Sequence, residues 1–264
     1  MHKFFIILFL SFSGLIQAQD LDVELVKSIS NSKGTQFASY DHLDDFYLVK
    51  NNQLTKQTKE NSYNYSNLFY GEVTSIDIRN PFQILVFYKD FQSFVVLDNQ
   101  LNEISNVNFS VQFPELDVIS VSASNKNFYW VFDGISRRIF IFDAGQNILK
   151  PVSVPFENKF SDWNSNANSF FIESNQIIYT FDIYGKVSQN PFSTKFDKID
   201  LISSTTFISQ YSQDLFYHNL DSNQNLKINL KNNNIVSFQI NNEILTIFTD
   251  TEIKTINKMI ITTN

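Results

Sequence analysis

Hydrophobic and polar residues alternate along the chain in short runs, and one pattern recurs about every forty residues. In each copy a polar turn precedes a strand-like run that opens on an aromatic or branched residue. The openings are Phe46, Phe82, Phe128, Phe170, Phe207 and Ile244, at separations of 36, 46, 42, 37 and 37 residues. Six copies of a sheet-forming unit at this period predict a repeat architecture. We interpret the six recurring positions as core residues that pack between neighbouring units.

Each repeat has room for four strands. In the third unit they are predicted at 118–123, 128–132, 138–142 and 148–154. Antiparallel four-stranded units of about 40 residues are the blades of a β-propeller. The sequence therefore predicts an all-β fold with six such blades, and a leading strand near residues 21–29 is expected to close the ring in the last blade. A two-sheet sandwich or an unclosed β-array is the alternative.

The first 18 residues have the composition of a secretory signal peptide. Residues 1–3 carry the positive charge, residues 4–16 are apolar, and Ala18 is the small residue after which we expect cleavage. The apolar run holds 13 residues, fewer than the roughly 20 that span a bilayer, and an uncleaved anchor is the alternative. We expect residues 19–264 to form one propeller domain without a transmembrane segment, located in the periplasm or secreted.

Composition excludes several classes of partner and modification. The chain has no cysteine, so neither a disulfide nor a cysteine-linked lipid anchor is expected. It has 20 basic and 27 acidic residues, a net charge of −7. Basic residues are not clustered into a stripe, so no nucleic-acid partner is predicted.

The blade pattern resembles the six-bladed propellers of the NHL and TolB-like kind at the level of architecture. Residues 80–98, which open with Asn80-Pro81-Phe82 and end with Leu97-Asp98, are similar to a family of exported propellers of Bacteroidota that has no assigned activity. The resemblance covers part of one blade. It implies a fold and a compartment and carries over no functional residues.

Catalytic and metal-binding motifs are missing from the sequence. There is no thiol and no Gly-x-Ser-x-Gly motif, and the mature chain keeps two histidines, His42 and His218. We therefore predict no catalytic residue, no metal-ligand residue and no cofactor. Calcium is the one open possibility, because residues 221–225 place oxygen ligands at alternate positions. They lack the glycine and the distal glutamate of a calcium loop, and a hairpin turn is the simpler interpretation.

Acidic and amide residues recur on the predicted inner strands, and we predict that they face the axial channel and bind there. They are Asp41, Asp77, Asp162, Asp200 and Gln239. Propeller hydrolases and lactonases hold a metal ion with such side chains, although polar residues at a channel mouth are expected in any propeller. Trp163 lies in the polar segment 161–168 and is the predicted surface recognition residue.

These features favour an exported, non-catalytic propeller that binds or scaffolds a protein partner in the bacterial cell envelope. Radial blades present loops on two faces, and binding residues are common on such loops. Two alternatives stay open. One is a divalent-metal-dependent hydrolase or lactonase with its site in the channel, and the other is a glycan-binding module that uses Trp163 and nearby asparagines.

Overall fold

The chain folds into a six-bladed β-propeller, which confirms the predicted all-β fold. The computed structural model describes residues 20–23, 25–31, 34–230, 234–241 and 244–256. Within these ranges there are 25 strands, two 3₁₀ turns and one four-residue helix, and none of the helical segments is long and apolar enough to cross a membrane. The predicted signal peptide, residues 1–18, lies outside the described residues and stays a prediction.

Each blade is a sheet that runs from an inner strand at the axis to an outer strand at the rim. Blade 1 comprises β3 (Thr35–Tyr40), β4 (Phe46–Lys50), β5 (Gln53–Gln57) and β6 (Ser62–Tyr65). Blade 2 comprises β7 (Ser75–Asp77), β8 (Ile84–Tyr88), β9 (Ser93–Leu97) and β10 (Glu103–Asn108). Blade 3 comprises β11 (Val118–Ala123), β12 (Phe128–Asp133), β13 (Ile139–Asp143) and β14 (Ile148–Pro151). Blade 4 comprises β15 (Asp162–Ser165), β16 (Ser169–Ser174), β17 (Ile177–Asp182) and β18 (Val187–Pro191). Blade 5 comprises β19 (Lys198–Leu201), β20 (Thr206–Tyr211), β21 (Asp214–Asn219) and β22 (Gln224–Asn229). Blade 6 comprises β23 (Ile235–Asn241), β24 (Ile244–Thr249) and β25 (Glu252–Ile256), together with a strand from the N-terminal segment.

The N-terminal segment closes the ring, as predicted, but it does so with two strands. Strand β2 (Leu25–Ser30) pairs antiparallel with β25 and is the outer strand of blade 6. Strand β1 (Asp20–Asp22) pairs in parallel with β22 and adds a fifth strand to blade 5. Leu21 is buried in the apolar cluster between blades 5 and 6. The segment therefore fastens the last two blades together.

Asparagine residues form many of the tight turns in this chain, which has only six glycines. Several asparagines adopt the left-handed conformation that most residues avoid, and they lie in tight turns. They are Asn51, Asn52, Asn147, Asn175 and Asn223, with φ between 51° and 62°. These turns set the strand register because each one fixes where the next strand begins.

Apolar clusters fill the joints between successive blades from blade 1 to blade 6. In the joint between blades 3 and 4, the rings of Phe132 and Phe170 meet edge to face with centroids 5.7 Å apart. Trp130 is fully buried beside them, and its indole N–H donates to the Asn166 carbonyl at 2.9 Å. The burial of these large aromatic side chains stabilises the joint between blades 3 and 4.

Three of the six recurring apolar positions are buried, namely Phe170, Phe207 and Ile244, and Phe46 is half-buried. The expectation that all six are core is wrong for the other two. The exposed fraction of Phe82 is 59% and that of Phe128 is 38%. Phe82 belongs to a turn in which its own N–H donates to the Asn80 side chain, so β8 begins two residues later, at the buried Ile84. Phe128 opens β12, where its side chain remains at the solvent end of the strand.

The antiparallel blades create two faces of different composition. We call the side with the connections from one blade to the next, and with the turns between second and third strands, the crossover face; residues 66–74, 89–92 and 109–117 lie there. The opposite side carries the remaining turns, such as residues 41–45 and 183–186, and we call it the turn face. This geometry follows from strand direction alone.

Replacing Phe170 by alanine should lower the free energy of unfolding by about 3–5 kcal/mol, because it opens a cavity in the joint between blades 3 and 4. The matched change Phe82→Ala should cost no more than about 1 kcal/mol, because that ring is largely exposed. Urea unfolding followed by circular dichroism measures both. Equal losses for the two variants would contradict the assignment of core and surface positions.

Candidate functional site

The inner strands enclose a cavity of about 450 Å³ at the axis of the propeller. Its polar wall consists mainly of hydroxyl and amide side chains, among them Ser75, Ser120, Ser122, Ser165, Gln239 and Asn241. The charged side chains in the described wall are Asp77 and Arg79. A cavity of this size is within the range of small-molecule sites, about 300–1,000 Å³.

Asp77 and Arg79 form an ion pair that spans three blades. The Nε of Arg79 lies 2.9 and 3.0 Å from the two carboxylate oxygens of Asp77, and its Nη2 also donates to Oδ2. The guanidinium donates to the carbonyls of Ala123 in blade 3 and Ser165 in blade 4, both at 2.7 Å. Asp77 in turn accepts the backbone N–H of Ala123 at 2.9 Å. Both charges are therefore committed to contacts within the protein.

Asp162 and Asp200 make the same kind of link between later blades. The carboxylate of Asp162 in blade 4 accepts the N–H of Leu201 in blade 5 at 3.1 Å. The carboxylate of Asp200 in blade 5 accepts the N–H of Ile240 in blade 6 at 2.8 Å. Each aspartate thus satisfies a backbone donor on the axial edge of the next inner strand.

Burial dominates the ionisation of these aspartates. It raises the pKa of Asp200 to about 6, although the Ile240 N–H and the Lys198 charge act in the opposite direction. Burial and then the charge of Asp200 raise the pKa of Asp162 well above its ordinary value. Burial also acts to raise the pKa of Asp77, but the adjacent Arg79 charge and hydrogen bonds outweigh it and lower that pKa.

Gln239 and Asp41 occupy different settings. Gln239 lines the cavity, and its Nε2 donates to the Ala38 carbonyl at 2.7 Å, which joins blade 6 to blade 1. Asp41 is buried in the turn between β3 and β4, where it accepts from the Leu43 and Asp45 N–H groups and from the Tyr47 hydroxyl. The structure therefore brings Asp77 and Gln239 to the cavity wall and places Asp41 outside it. Ligand binding by these residues stays a prediction.

Trp163 lies at the joint between blades 3 and 4. Its ring is nearly perpendicular to the rings of Phe160 and Phe132, with centroids 5.4 and 6.1 Å away. The side chain is half-buried, and part of it lines the axial cavity. Trp163 therefore faces the channel and belongs to the blade joint at the same time.

A serine and a histidine in blade 5 lie as close together as a catalytic nucleophile and its base, but a substrate cannot reach the buried serine hydroxyl. His218 Nε2 lies 2.8 Å from Ser209 Oγ, and Ser209 is fully buried. Burial lowers the pKa of His218 to about 4, and its ring stacks on Phe207. This arrangement stabilises the sheet. Among the residues that the structure describes, no three His, Asp or Glu side chains converge on a possible metal site.

Sequence reasoning missed Arg79, the residue that organises the charged part of the channel. Its signal was present, because only three arginines occur in the chain and this one follows a predicted inner-strand aspartate by two residues. It also missed an exposed surface on the crossover face, where large apolar side chains follow one another over three blade joints. We call it the apolar arc; its residues are Leu68, Phe69, Phe91, Val111, Ile135 and Val154.

Several solved propellers are similar to this chain. Virginiamycin B lyase from Staphylococcus aureus matches with a TM-score of 0.57 and 9% identity over 88% of this chain and 98% of that one. PorZ, a surface component of the type-IX secretion system of Porphyromonas gingivalis, matches with a TM-score of 0.55 and 11% identity over 88% of this chain. The extracellular domain of a putative hybrid two-component system from B. thetaiotaomicron matches with a TM-score of 0.52 and 8% identity over 85% of this chain.

These likenesses show the fold alone, because so few residues are identical. This chain spans 33% of the PorZ chain, 34% of the extracellular domain of the two-component system, and nearly all of the lyase. No family model matches the sequence, and no curated protein does.

Replacing Arg79 by methionine should destabilise the protein by about 2–4 kcal/mol, because the Asp77 carboxylate would remain buried without its partner. The double variant Asp77→Asn/Arg79→Met should recover part of that loss, since no charge is then left unpaired. A double-mutant cycle by urea unfolding measures the coupling. Additive losses would show that the two side chains stabilise the ring independently.

The stability of the protein should depend on the ionisation of Asp200. Because its pKa is higher in the folded chain, about 6 against 3.8, the folded state binds the proton more tightly. The resulting stabilisation is full below about pH 4 and is lost as the pH rises through about 6. Relative to wild type, Asp200→Asn should therefore gain stability between pH 4 and pH 7.5, on the order of 1–3 kcal/mol.

Urea unfolding of both proteins across this pH range tests the sign and the size of the effect. Asp98→Asn is a suitable comparison, because hydrogen bonds from Asn102 lower the pKa of that half-buried aspartate and its contribution has the opposite sign. Parallel pH profiles for wild type and Asp200→Asn would contradict the assigned pKa.

Proposed function

We propose that the protein is an exported, non-catalytic propeller that binds a protein partner in the bacterial cell envelope through the apolar arc. The exposure of the arc carries this proposal. The exposed fractions of Leu68 and Phe69 are 89% and 87%, and Val111, Ile135 and Val154 are each more than two-thirds exposed. Contiguous apolar side chains in water on an otherwise folded surface are typical of protein interfaces.

Packing contacts and hydrogen bonds between neighbouring loops hold the arc in place. The backbone of Gly71, where φ is 74°, packs so closely against the ring of Phe91 that a β-carbon at position 71 would lie 2.9 Å from a ring atom. Gln92 receives the Phe109 N–H at 2.8 Å, and its side chain contacts the backbone of Val118 through two hydrogen bonds. The exposed side chains therefore extend from an ordered platform, which lowers the entropic cost of binding.

The same order continues into the joint between blades 3 and 4. The Gly134 N–H donates to the Asp117 carbonyl at 2.7 Å, and the Phe156 N–H donates to the Arg137 carbonyl at 2.8 Å. Ile135 and Val154 are carried by these two loops. The loops that carry the arc are thus in contact with one another from the connection between blades 1 and 2 to the connection between blades 3 and 4.

Charge selects the kind of partner. The loops of the arc carry both signs, with Lys89 beside Asp90 and with Glu115 and Arg137 in the next loops. Neither sign prevails, so the partner is expected to present an apolar segment rather than a strongly charged one. Each large apolar side chain that the partner buries completely should contribute about 1.5–3 kcal/mol to the free energy of binding.

The compartment is supported by two independent observations. The first 18 residues have the signal-peptide pattern. Two of the similar structures are a surface component of a secretion system and an extracellular domain. Both support a propeller on the outer side of the cytoplasmic membrane.

A photo-crosslinking amino acid at Phe69 should give one specific adduct in cells, and at Tyr184 it should give none. Tyr184 is the matched control, because its exposed fraction is 88% and it lies on the turn face. Mass spectrometry identifies the adduct, and the purified partner then tests direct binding. Leu68→Ser/Phe69→Ser should weaken that binding at least tenfold without changing the melting temperature, since both side chains are exposed.

An adduct at both positions, or at neither, would overturn the proposal. An adduct with a second copy of this chain would replace it by self-association through the same surface.

A further inference from the structure

Several polar groups in the wall of the axial cavity make no hydrogen bond within the ranges that the structure describes. Ser75, Ser120 and Asn241 line it, and their side chains make no hydrogen bond with any residue that the structure describes. Gln239 donates through Nε2 to Ala38, and its side-chain carbonyl oxygen accepts no hydrogen bond from the described part of the chain. These four residues come from blades 2, 3 and 6, so hydrogen-bonding groups from different sides of the channel line the same cavity.

The charges of the cavity are, in contrast, already neutralised. Each oxygen of Asp77 accepts at least two hydrogen bonds from Arg79 or Ala123. Arg79 donates from Nε, Nη1 and Nη2 to protein acceptors. A charged ligand would have to displace these contacts, whereas a neutral one can bind beside them.

Trp163 adds an apolar surface to this polar wall. Its aromatic contacts with Phe132 and Phe160 fix the ring, so little freedom is lost when a ligand packs against it. A ligand that combines several hydroxyl or amide groups with an apolar face matches such a wall. Neutral sugars have this combination.

We propose that the axial cavity binds a neutral, polyhydroxylated ligand of the size of a sugar unit, with hydrogen bonds to Ser75, Ser120, Gln239 and Asn241 and packing against Trp163. This inference goes beyond the protein-binding role, because the cavity lies among the inner strands and the apolar arc lies on exposed loops of the crossover face. Either site can exist without the other.

Intrinsic fluorescence provides a direct readout. The chain has two tryptophans, of which Trp130 is fully buried and Trp163 lines the cavity. Titration of the mature protein with N-acetylglucosamine, glucose, galactose and mannose should give a saturable change in emission with at least one of them. Glucuronate serves as the acidic counterpart and should bind more weakly. Saturation-transfer NMR on the same samples detects binding without relying on a tryptophan.

Ser120→Ala/Asn241→Ala should weaken the binding about tenfold or more, because two hydrogen-bonding groups are lost. Trp163→Phe should abolish the fluorescence change while saturation transfer still detects the sugar. The matched control is Ser188→Ala/Asn99→Ala, which makes the same two changes at exposed positions outside the channel and should bind like wild type.

Three outcomes would overturn the inference. They are no response to any neutral sugar in either measurement, unchanged affinity in the Ser120→Ala/Asn241→Ala variant at an unchanged melting temperature, and tighter binding of glucuronate than of the neutral sugars. None of them bears on crosslinking at Phe69, so failure here and failure of the protein-binding role are distinguishable.

Discussion

Hydrogen bonds from the inner strand of one blade to the backbone of the next hold the ring together at its axis. An inner strand pairs with its own blade on one edge, and its other edge faces the channel with backbone groups that lack a strand partner. Asp77, Asp162 and Asp200 each accept one of these N–H groups from the following blade. Gln239 donates to a carbonyl at the joint where the ring closes. The centre is thus fastened by side chains, because backbone pairing between blades is geometrically unavailable there.

These links have a cost, since a carboxylate at the axis loses most of its hydration. Burial raises the pKa of Asp200 and of Asp162 and so reflects that cost, whereas for Asp77 the charge and hydrogen bonds of Arg79 outweigh the effect of burial on the pKa. The stabilisation that offsets it lies further out, in the apolar clusters between blades. Polar side chains therefore set the register of neighbouring blades near the axis, and the burial of apolar side chains between the blades supplies stability further out.

The architecture could be predicted from the sequence because turns and strands are local. In blade 3 the first strand was predicted with its observed bounds, β12 ends one residue later than predicted, and β13 is shifted by one residue at both ends. The fourth strand, β14, ends three residues earlier than predicted. Phe82 was misplaced because a side chain two residues earlier forms a turn that delays the strand. The roles of the aspartates could not be predicted, since their partners lie about forty positions away and depend on how one blade stacks on the next. Arg79 contacts a residue 86 positions away for the same reason.

Ring closure explains why the channel and the apolar arc can differ so much in chemistry. Strands β1 and β2 tie the N-terminal segment into blades 5 and 6, on the side of the ring opposite the arc, which runs from blade 1 to blade 4. The loops of the arc need not contribute to closure, so their apolar side chains can remain in water without weakening the fold. The charged residues of the channel wall, Asp77 and Arg79, are different, because their hydrogen bonds already link neighbouring blades. A ligand of the kind proposed for the axis would therefore meet neutral hydrogen-bonding groups, and a partner of the kind proposed for the crossover face would meet apolar side chains.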